Sequence, residues 1–186
     1  MTNEQAKGLP SDAELVTRAQ SGDREAVHSL ARRHHAAVYR LALSILKNEA
    51  DAADAAQDAF VKALRALNTF RGESAFRTWL LSIVANEARG RLRRVKRRNE
   101  SPLELSSQVS TGEQGTLERV AVVSEATRVQ VALESLPEKQ KMAVTLRIYE
   151  GLSFKEVGEA IGSSEGSARV NYHHGIRKLR ECMGHE

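Results

Sequence analysis

The sequence predicts an all-α protein made of two small helical domains joined by a flexible linker, and three observations predict it. Aromatic residues are 4% of the 186 and prolines number three, while Ala, Leu, Glu and Arg abound, a balance that favours helix over sheet. Apolar residues recur at spacings of three and four on both sides of a single interruption. That interruption, residues 99–124, holds Pro102, Gly112, Gly115 and many small polar residues with no sustained period, the composition of a linker. The expected domains are therefore 11–98 and 125–183, each within the size range that folds alone. A hydrophobic content of 41% supplies two cores and excludes wholesale disorder. No apolar run is long enough to span a bilayer. The start, Met1 to Gln5, lacks the basic flank and apolar run of a signal peptide. The lone Cys182 can neither form an internal disulfide nor complete a Cys-rich zinc site. The expectation is a soluble, cytoplasmic protein.

Each element has its own punctuation. Ser11-Asp12-Ala13-Glu14 reads as a capping box for a first helix. Gly22 stops it and Asp23 caps a second, with Val27, Leu30, Ala31, Val38, Leu41 and Ile45 near one face. Asn48 caps a third, with Ala53, Ala56, Phe60, Ala63, Leu64 and Leu67 expected inward and Asp51, Asp54, Asp58, Lys62 and Arg65 outward. The turn Thr69 to Glu73 precedes a fourth helix, expected to be capped by Ser74 and striped with Phe76, Trp79, Leu80, Ile83 and Val84. Beyond the linker, Val129, Ala132 and Leu133 lead into Leu136-Pro137, where proline suits the start of a helix. That helix is expected to face Met142, Leu146 and Tyr149 inward. Ser153 to Glu156 is a second capping box, opening a short helix that stops at Gly162. Ser164 caps the last helix, with Ala168, Tyr172, Ile176 and Leu179 inward.

Three features carry chemistry. Arg89, Arg91, Arg93, Arg94, Lys96, Arg97 and Arg98 fall within ten residues that contain no acid. Like charges three and four apart destabilise a helix unless a polyanion relieves them, and each neutralised phosphate releases counterions. Phosphate contact is the preferred reading over a merely solvated basic helix end. The second feature is the short helix, tight turn and longer helix from Ser153 to Arg180, which has helix-turn-helix proportions. At 100° per residue, Val170, His174 and Arg177 lie opposite the buried stripe, flanked by Arg169 and His173 on one side and Asn171 on the other. Arg can read guanine, Asn adenine, and Val a thymine methyl; Ser167 sits in the first turn, where free amides favour a phosphate. An ordinary helical hairpin is the plainer alternative. The third feature is the acidic face Asp51, Asp54, Asp58 with Gln57, either solubilising surface or a dock for a basic partner.

Other signals weaken. His34-His35 and His173-His174 are adjacent pairs whose rings diverge around a helix and chelate poorly. Neither a Gly-rich phosphate loop nor a hydrolase or metalloprotease motif occurs. No catalytic residue, metal site or cofactor is expected, and the chain does not read as an enzyme.

Ala52-Ala53-Asp54-Ala55-Ala56-Gln57-Asp58-Ala59-Phe60, followed by Phe70-Arg71-Gly72-Glu73-Ser74-Ala75-Phe76-Arg77-Thr78-Trp79-Leu80, resembles region two of bacterial sigma-70-type factors. Leu136-Pro137-Glu138-Lys139-Gln140, Glu150-Gly151-Leu152-Ser153-Phe154-Lys155-Glu156-Val157 and Ser164-Glu165-Gly166-Ser167 resemble region four. With these two regions and a short linker, the chain is similar to an extracytoplasmic-function (ECF, group IV) sigma factor. The resemblance implies a four-helix bundle-like region two, a helix-turn-helix region four, and a role in binding core RNA polymerase, recognising promoters and melting the −10 element. It implies that Asp51, Asp54, Gln57 and Asp58 dock on the clamp helices of the beta-prime subunit, and that region four meets the beta flap. It implies −10 contacts from Asn68, Arg71 and Arg77, then from Asn86, Arg89 and the basic run Arg91, Arg93, Arg94, Lys96 and Arg97. It implies −35 contacts from Ser167, Arg169, Val170, Asn171, His173, His174 and Arg177. Ala53 stands where the family usually has Glu, which is expected to trim the polymerase contact; Asn171, His174 and Ile176 stand where Arg is common, so the −35 motif is expected to be read differently. The family further implies an anti-sigma partner, which in some members holds the factor at the inner membrane. The rival reading is a free-standing helix-turn-helix regulator, which has no need of the acidic helix.

Overall fold

Among the described residues, five helices begin where a side chain offers their orphan backbone donors an acceptor. The computed structural model describes residues 9–100 and 125–184, and among them are eight α-helices, one 3-10 turn and no strand. The expected linker lies, from residue 101 to 124, outside the described residues. Helix α1, Asp12–Gln20, opens on the expected capping box: the Glu14 amide donates to Ser11 Oγ at 3.3 Å and the Ser11 amide to the Glu14 carboxylate at 2.7 Å. Asp23 Oδ1 accepts from the Glu25 and Ala26 amides at the start of α2, Arg24–Leu46. Asn48 caps α3, Glu49–Ala66, through the Asp51 amide at 2.9 Å. A 3-10 turn, Leu67–Thr69, leads to α4, Phe76–Glu100. This helix starts later than expected: the Ala75 carbonyl, not Ser74, receives the Trp79 amide at 3.1 Å. It also runs two residues past position 98. Helix α5, Glu125–Ser135, and α6, Glu138–Ile148, meet at Pro137. Ser153 and Glu156 form the second capping box, on α7, Phe154–Ile161, which closes on Gly162 at φ 65°. Ser164 caps α8, Glu165–Met183.

Helix α2 packs against α1, α3 and α4, and α3 packs against α4, around a core that includes Leu15, Val38, Leu41, Leu80 and Val84. On α3 the buried residues are Ala52, Ala55, Ala56, Ala59 and Ala63, whereas Ala53 and Leu64 face solvent. The inward assignment of those two is thus corrected. An alanine-rich helix has little hydrophobic contrast around its circumference, so its neighbours set its rotation rather than its pattern. In the C-terminal half, α6 and α7 pack on α8. Residues Lys141 to Leu146 are all buried, while Tyr149, expected inward, lies beyond the end of α6 and is 53% exposed. Inward on α8 are Ala168 and Gly175, with Tyr172, Ile176 and Leu179 half-buried.

The two halves also pack on each other, α4 against α7 and α2 against α6. This explains why α4 buries Leu81, Ala85 and Ala88 beyond its expected stripe. At 100° per residue, Leu81 and Ala85 fall on the side of Thr78 and Arg89, both of which reach the C-terminal half: Thr78 Oγ1 lies 3.4 Å from Glu156 Oε1, and Arg89 Nη2 donates to the Ile161 carbonyl at 2.8 Å. Lys47 Nζ donates to the Glu134 carbonyl at 2.9 Å across the same junction.

Two consequences are measurable. A Cβ on Gly158 of α7 would lie 2.9 Å from the Ser163 carbonyl and 3.1 Å from the Glu165 amide, so this glycine lets α7 touch the turn before α8. Gly158→Ala gains about 1 kcal/mol of helix propensity but overpacks backbone against backbone; a net loss of about 1–2 kcal/mol is expected in denaturant unfolding. Lys141 is 4% exposed, and burial, aided by the neighbouring Lys47 charge, pushes its pKa from 10.5 down to about 8. Between those values the unfolded chain holds the extra proton, so stability rises with pH from about 8 towards 10.5. Lys141→Met removes that rise and increases the melting temperature at pH 7, read from thermal melts across the alkaline range.

Candidate nucleic-acid interface

The acidic face of α3 is exposed at Asp51, Asp54, Gln57 and Asp58, and it is not left uncompensated. Arg91 crosses from α4, with Nη1 3.7 Å from Asp54 Oδ2 and Nη2 hydrogen-bonded to Asp58. Of the basic run, Arg91 therefore points to the acidic face rather than outward. Behind it sits Glu87, 7% exposed, which takes the Lys62 ammonium and lies 3.4 Å from Arg94 Nη2. The Lys62 hydrogen bond, ahead of an opposing desolvation, holds the Glu87 carboxyl below its ordinary range. Sequence reasoning passed over Glu87. Its signal is an acid placed four and seven residues before Arg91 and Arg94 on one helix.

The loop before α4 is held from outside the helix it feeds. Gln20 Nε2, on α1, donates to the Leu67 carbonyl at 3.0 Å and the Phe70 carbonyl at 3.1 Å. The rings of Phe70, Phe76 and Trp79 pack with centroids 4.9–5.8 Å apart, so Trp79 anchors the domain as expected. Its edge also lines a cavity of about 380 Å³ with Thr69, Phe70, Arg71, Glu73 and Ser74. Asn68 and Arg71 are exposed beside it. At the back of this region Asp12 joins α1 to α2, taking Arg33 Nη1 at 2.6 Å and His34 Nε2 at 2.8 Å. Burial lowers the pKa of His34 against the pull of Asp12, so its ring is neutral at pH 7.

Along α4, Asn86, Arg93, Arg94 and Arg97 are exposed, and Lys96 follows in the same run. Two other expected DNA contacts face the C-terminal half. Arg77 Nη2 bonds Glu150 Oε2; Arg89 Nε lies 3.1 Å from Glu138 Oε1 and its Nη2 donates to the Ile161 carbonyl.

Helix α8 presents a continuous outer face. Val170 is 56% exposed, and Arg169, His173, His174 and Arg177 are exposed with it. Ser164 Oγ accepts the Ser167 amide at 3.1 Å, which fixes the entry to the helix. Arg169 pairs with Glu165 at 2.9 Å and lies over the Phe154 ring at 5.0 Å. Asn171 Nδ2 bonds the Ser167 carbonyl at 2.8 Å, and Arg177 Nε is 3.9 Å from Glu181. Three of these base-reading candidates are thus parked on their own helix by bonds that solvent exposure makes easy to exchange.

Two family models match the chain: Sigma-70 region 2 over residues 30–98, and Sigma-70, region 4, over residues 126–179. The ECF RNA polymerase sigma factor SigM of Mycobacterium tuberculosis (strain H37Rv) is 36% identical over 94% of this chain and 86% of its own length. The ECF RNA polymerase sigma-E factor of Escherichia coli K12 is likewise 36% identical, over 93% of this chain and 92% of its own. Among solved structures, CnrH in complex with the cytosolic domain of CnrY matches with TM-score 0.68 and 26% identity, covering 93% of this chain and 97% of that one. The Bartonella quintana sigma factor RpoE, solved with the anti-sigma factor NepR, shares the fold with TM-score 0.68 at 20% identity, over 84% of this chain and 96% of that one. With an acidic helix face, a cationic α4 and a helix-turn-helix in one chain that relatives match almost end to end, this protein belongs to the extracytoplasmic-function family of RNA polymerase sigma factors.

Proposed function

We propose that the chain bridges core RNA polymerase and a two-element promoter through three of its surfaces. The exposed carboxylates of Asp51, Asp54 and Asp58, with Gln57, dock on the clamp helices of the beta-prime subunit. Charge there sets orientation and association rate more than raw affinity. The loop at Asn68 and Arg71 captures a base flipped from the −10 element, whose unstacking costs a few kcal/mol. The cavity beside Trp79 is the space that would receive it, and Asn86, Arg93, Arg94, Lys96 and Arg97 hold strand phosphates. Ser167, Arg169, Val170, Asn171, His173, His174 and Arg177 on α8 read the −35 element in the major groove. Exposed Ile148 and Tyr149 offer the C-terminal half an apolar contact for the beta flap.

The observation that carries this reading is the pairing, in one chain, of an acidic α3 face with a helix-turn-helix whose outer residues are free of the core. A free-standing regulator uses the second and has no use for the first. Sigma factors are not enzymes, and their work lies where polymerase and DNA are, in the cytoplasm. An anti-sigma protein that holds the factor inactive, at the inner membrane in some family members, fits the same reading.

Run-off transcription with core polymerase on a genomic library tests the function directly, and yields the promoter. Asp54→Lys/Asp58→Lys is expected to cut co-purification with core polymerase roughly tenfold, equivalent to about 1.4 kcal/mol; unchanged association would count against the docking face. Arg169→Ala is expected to cost about 1–3 kcal/mol at particular bases of the −35 element, measured by competition among promoter variants. An equal loss on every sequence would make Arg169 a phosphate contact.

A further inference from the structure

Among the described residues, Glu150 is the one carboxylate at the junction of the halves whose side chain is 0% exposed, and two arginines from the N-terminal half enclose it. Arg40 of α2 donates through Nε at 2.9 Å and Nη2 at 2.7 Å to Oε1. Arg77 of α4 bonds Oε2 through Nη2. The Arg77 Nε is also buried and finds no partner among the described residues. Two guanidinium groups thus face the Glu150 carboxylate, the Glu156 carboxylate also lies within reach of the Arg77 charge, and one buried donor, Arg77 Nε, is left unused. Gly151, at φ 65°, turns the chain directly after Glu150, and the Leu152 amide closes that turn on the Leu146 carbonyl at 3.2 Å. The carboxylate is therefore presented on a fixed turn.

We propose that Arg40 and Arg77 form a phosphodiester-binding site that Glu150 fills in the closed chain, so that the free protein holds this part of its DNA surface shut. The proposal rests on the promoter-binding reading for the strand's identity, but not for the anion chemistry. Carboxylate and phosphate present similar oxygen pairs to an arginine fork. The Arg40 and Arg77 side chains are 44% and 35% exposed, and half-exposed ion pairs contribute little net stability, so a phosphate can compete with the Glu150 carboxylate for the two forks. Arg89 is released by the same movement, since its partners Glu138 and the Ile161 carbonyl belong to the departing half. The recognition face of α8 is not covered by this packing. The closed chain therefore masks Arg77 and Arg89 of α4 while leaving Arg93, Arg94, Arg97 and the −35 reader open.

Fluorescence anisotropy with the full chain and a short fluorescein-labelled oligodeoxythymidine strand tests the site. If the competent state is a minor one, removing the plug raises apparent affinity by the inverse of its population; Glu150→Gln is expected to bind about tenfold tighter. Adding Arg40→Ala to Glu150→Gln is expected to remove most of that gain. No gain with Glu150→Gln, or a gain that survives Arg40→Ala, overturns the proposal. Small-angle neutron scattering of the wild-type chain, at the solvent contrast that matches out the strand, gives a reading that no variant's folding can blur: saturation with the strand is expected to enlarge the protein's own radius of gyration, and an unchanged value overturns the proposal. Run-off transcription separates this inference from the function it rests on. A strand-binding gain without promoter-directed transcript sinks the promoter reading and sustains the anion site; transcript without the gain does the reverse.

Discussion

The burial of α4 from two sides is the constraint on which the remaining structure depends. One side completes the core of α1, α2 and α3 through Phe76, Leu80 and Val84; the side bearing Thr78 and Arg89 accepts α7. A helix so enclosed has few exposed positions over its first three turns, and its cations are therefore carried on its far end, where the partial negative charge of the helix terminus favours them. The same enclosure decides which arginines are available. Arg93 and Arg97 lie beyond the covered length and stay exposed, whereas Arg77 and Arg89 lie within it and are turned to acceptors of the C-terminal half.

Charge in this protein is arranged, and its average hides the arrangement. The formal net charge is +4, yet seven cations fall between residues 89 and 98, leaving 21 basic against 24 acidic residues elsewhere. The structure adds a further level. Arg91 folds back between Asp54 and Asp58, and Glu87 holds Lys62 and Arg94 from behind. The acidic face and the cationic helix are thus stitched together along the α3–α4 seam instead of being two independent patches. Pairs of this kind, half exposed, contribute little stability singly. Their effect is to fix where each charged side chain points when a partner arrives.

Most helix boundaries were legible in the sequence because they depend on neighbours a few residues away. Ser11 with Glu14, Ser153 with Glu156, Asp23, Asn48 and Ser164 all cap where their spacing placed them. The start of α4 was not, since Ser74 lies in a bend one residue before Ala75 and the first helical bond goes to the Ala75 backbone carbonyl, which any residue supplies. The rotation of α3 was misread at Ala53 and Leu64 because a ladder of alanines carries almost no contrast between its faces. Tyr149 was assigned inward by extending the period of α6 one residue past its end.

What the sequence determined by itself is everything whose physics is local: the helices, the outward face of α8, the acidic face of α3 and the membership of an ordered pair of family motifs. The tertiary structure alone decided which charges meet. Glu150 stands 110 residues from Arg40 and 73 from Arg77, and no periodicity or motif couples positions so far apart. Their pairing follows from the contact of α2 and α4 with α6 and α7, and that contact arises only when two amphipathic halves each bury a remaining apolar face against the other.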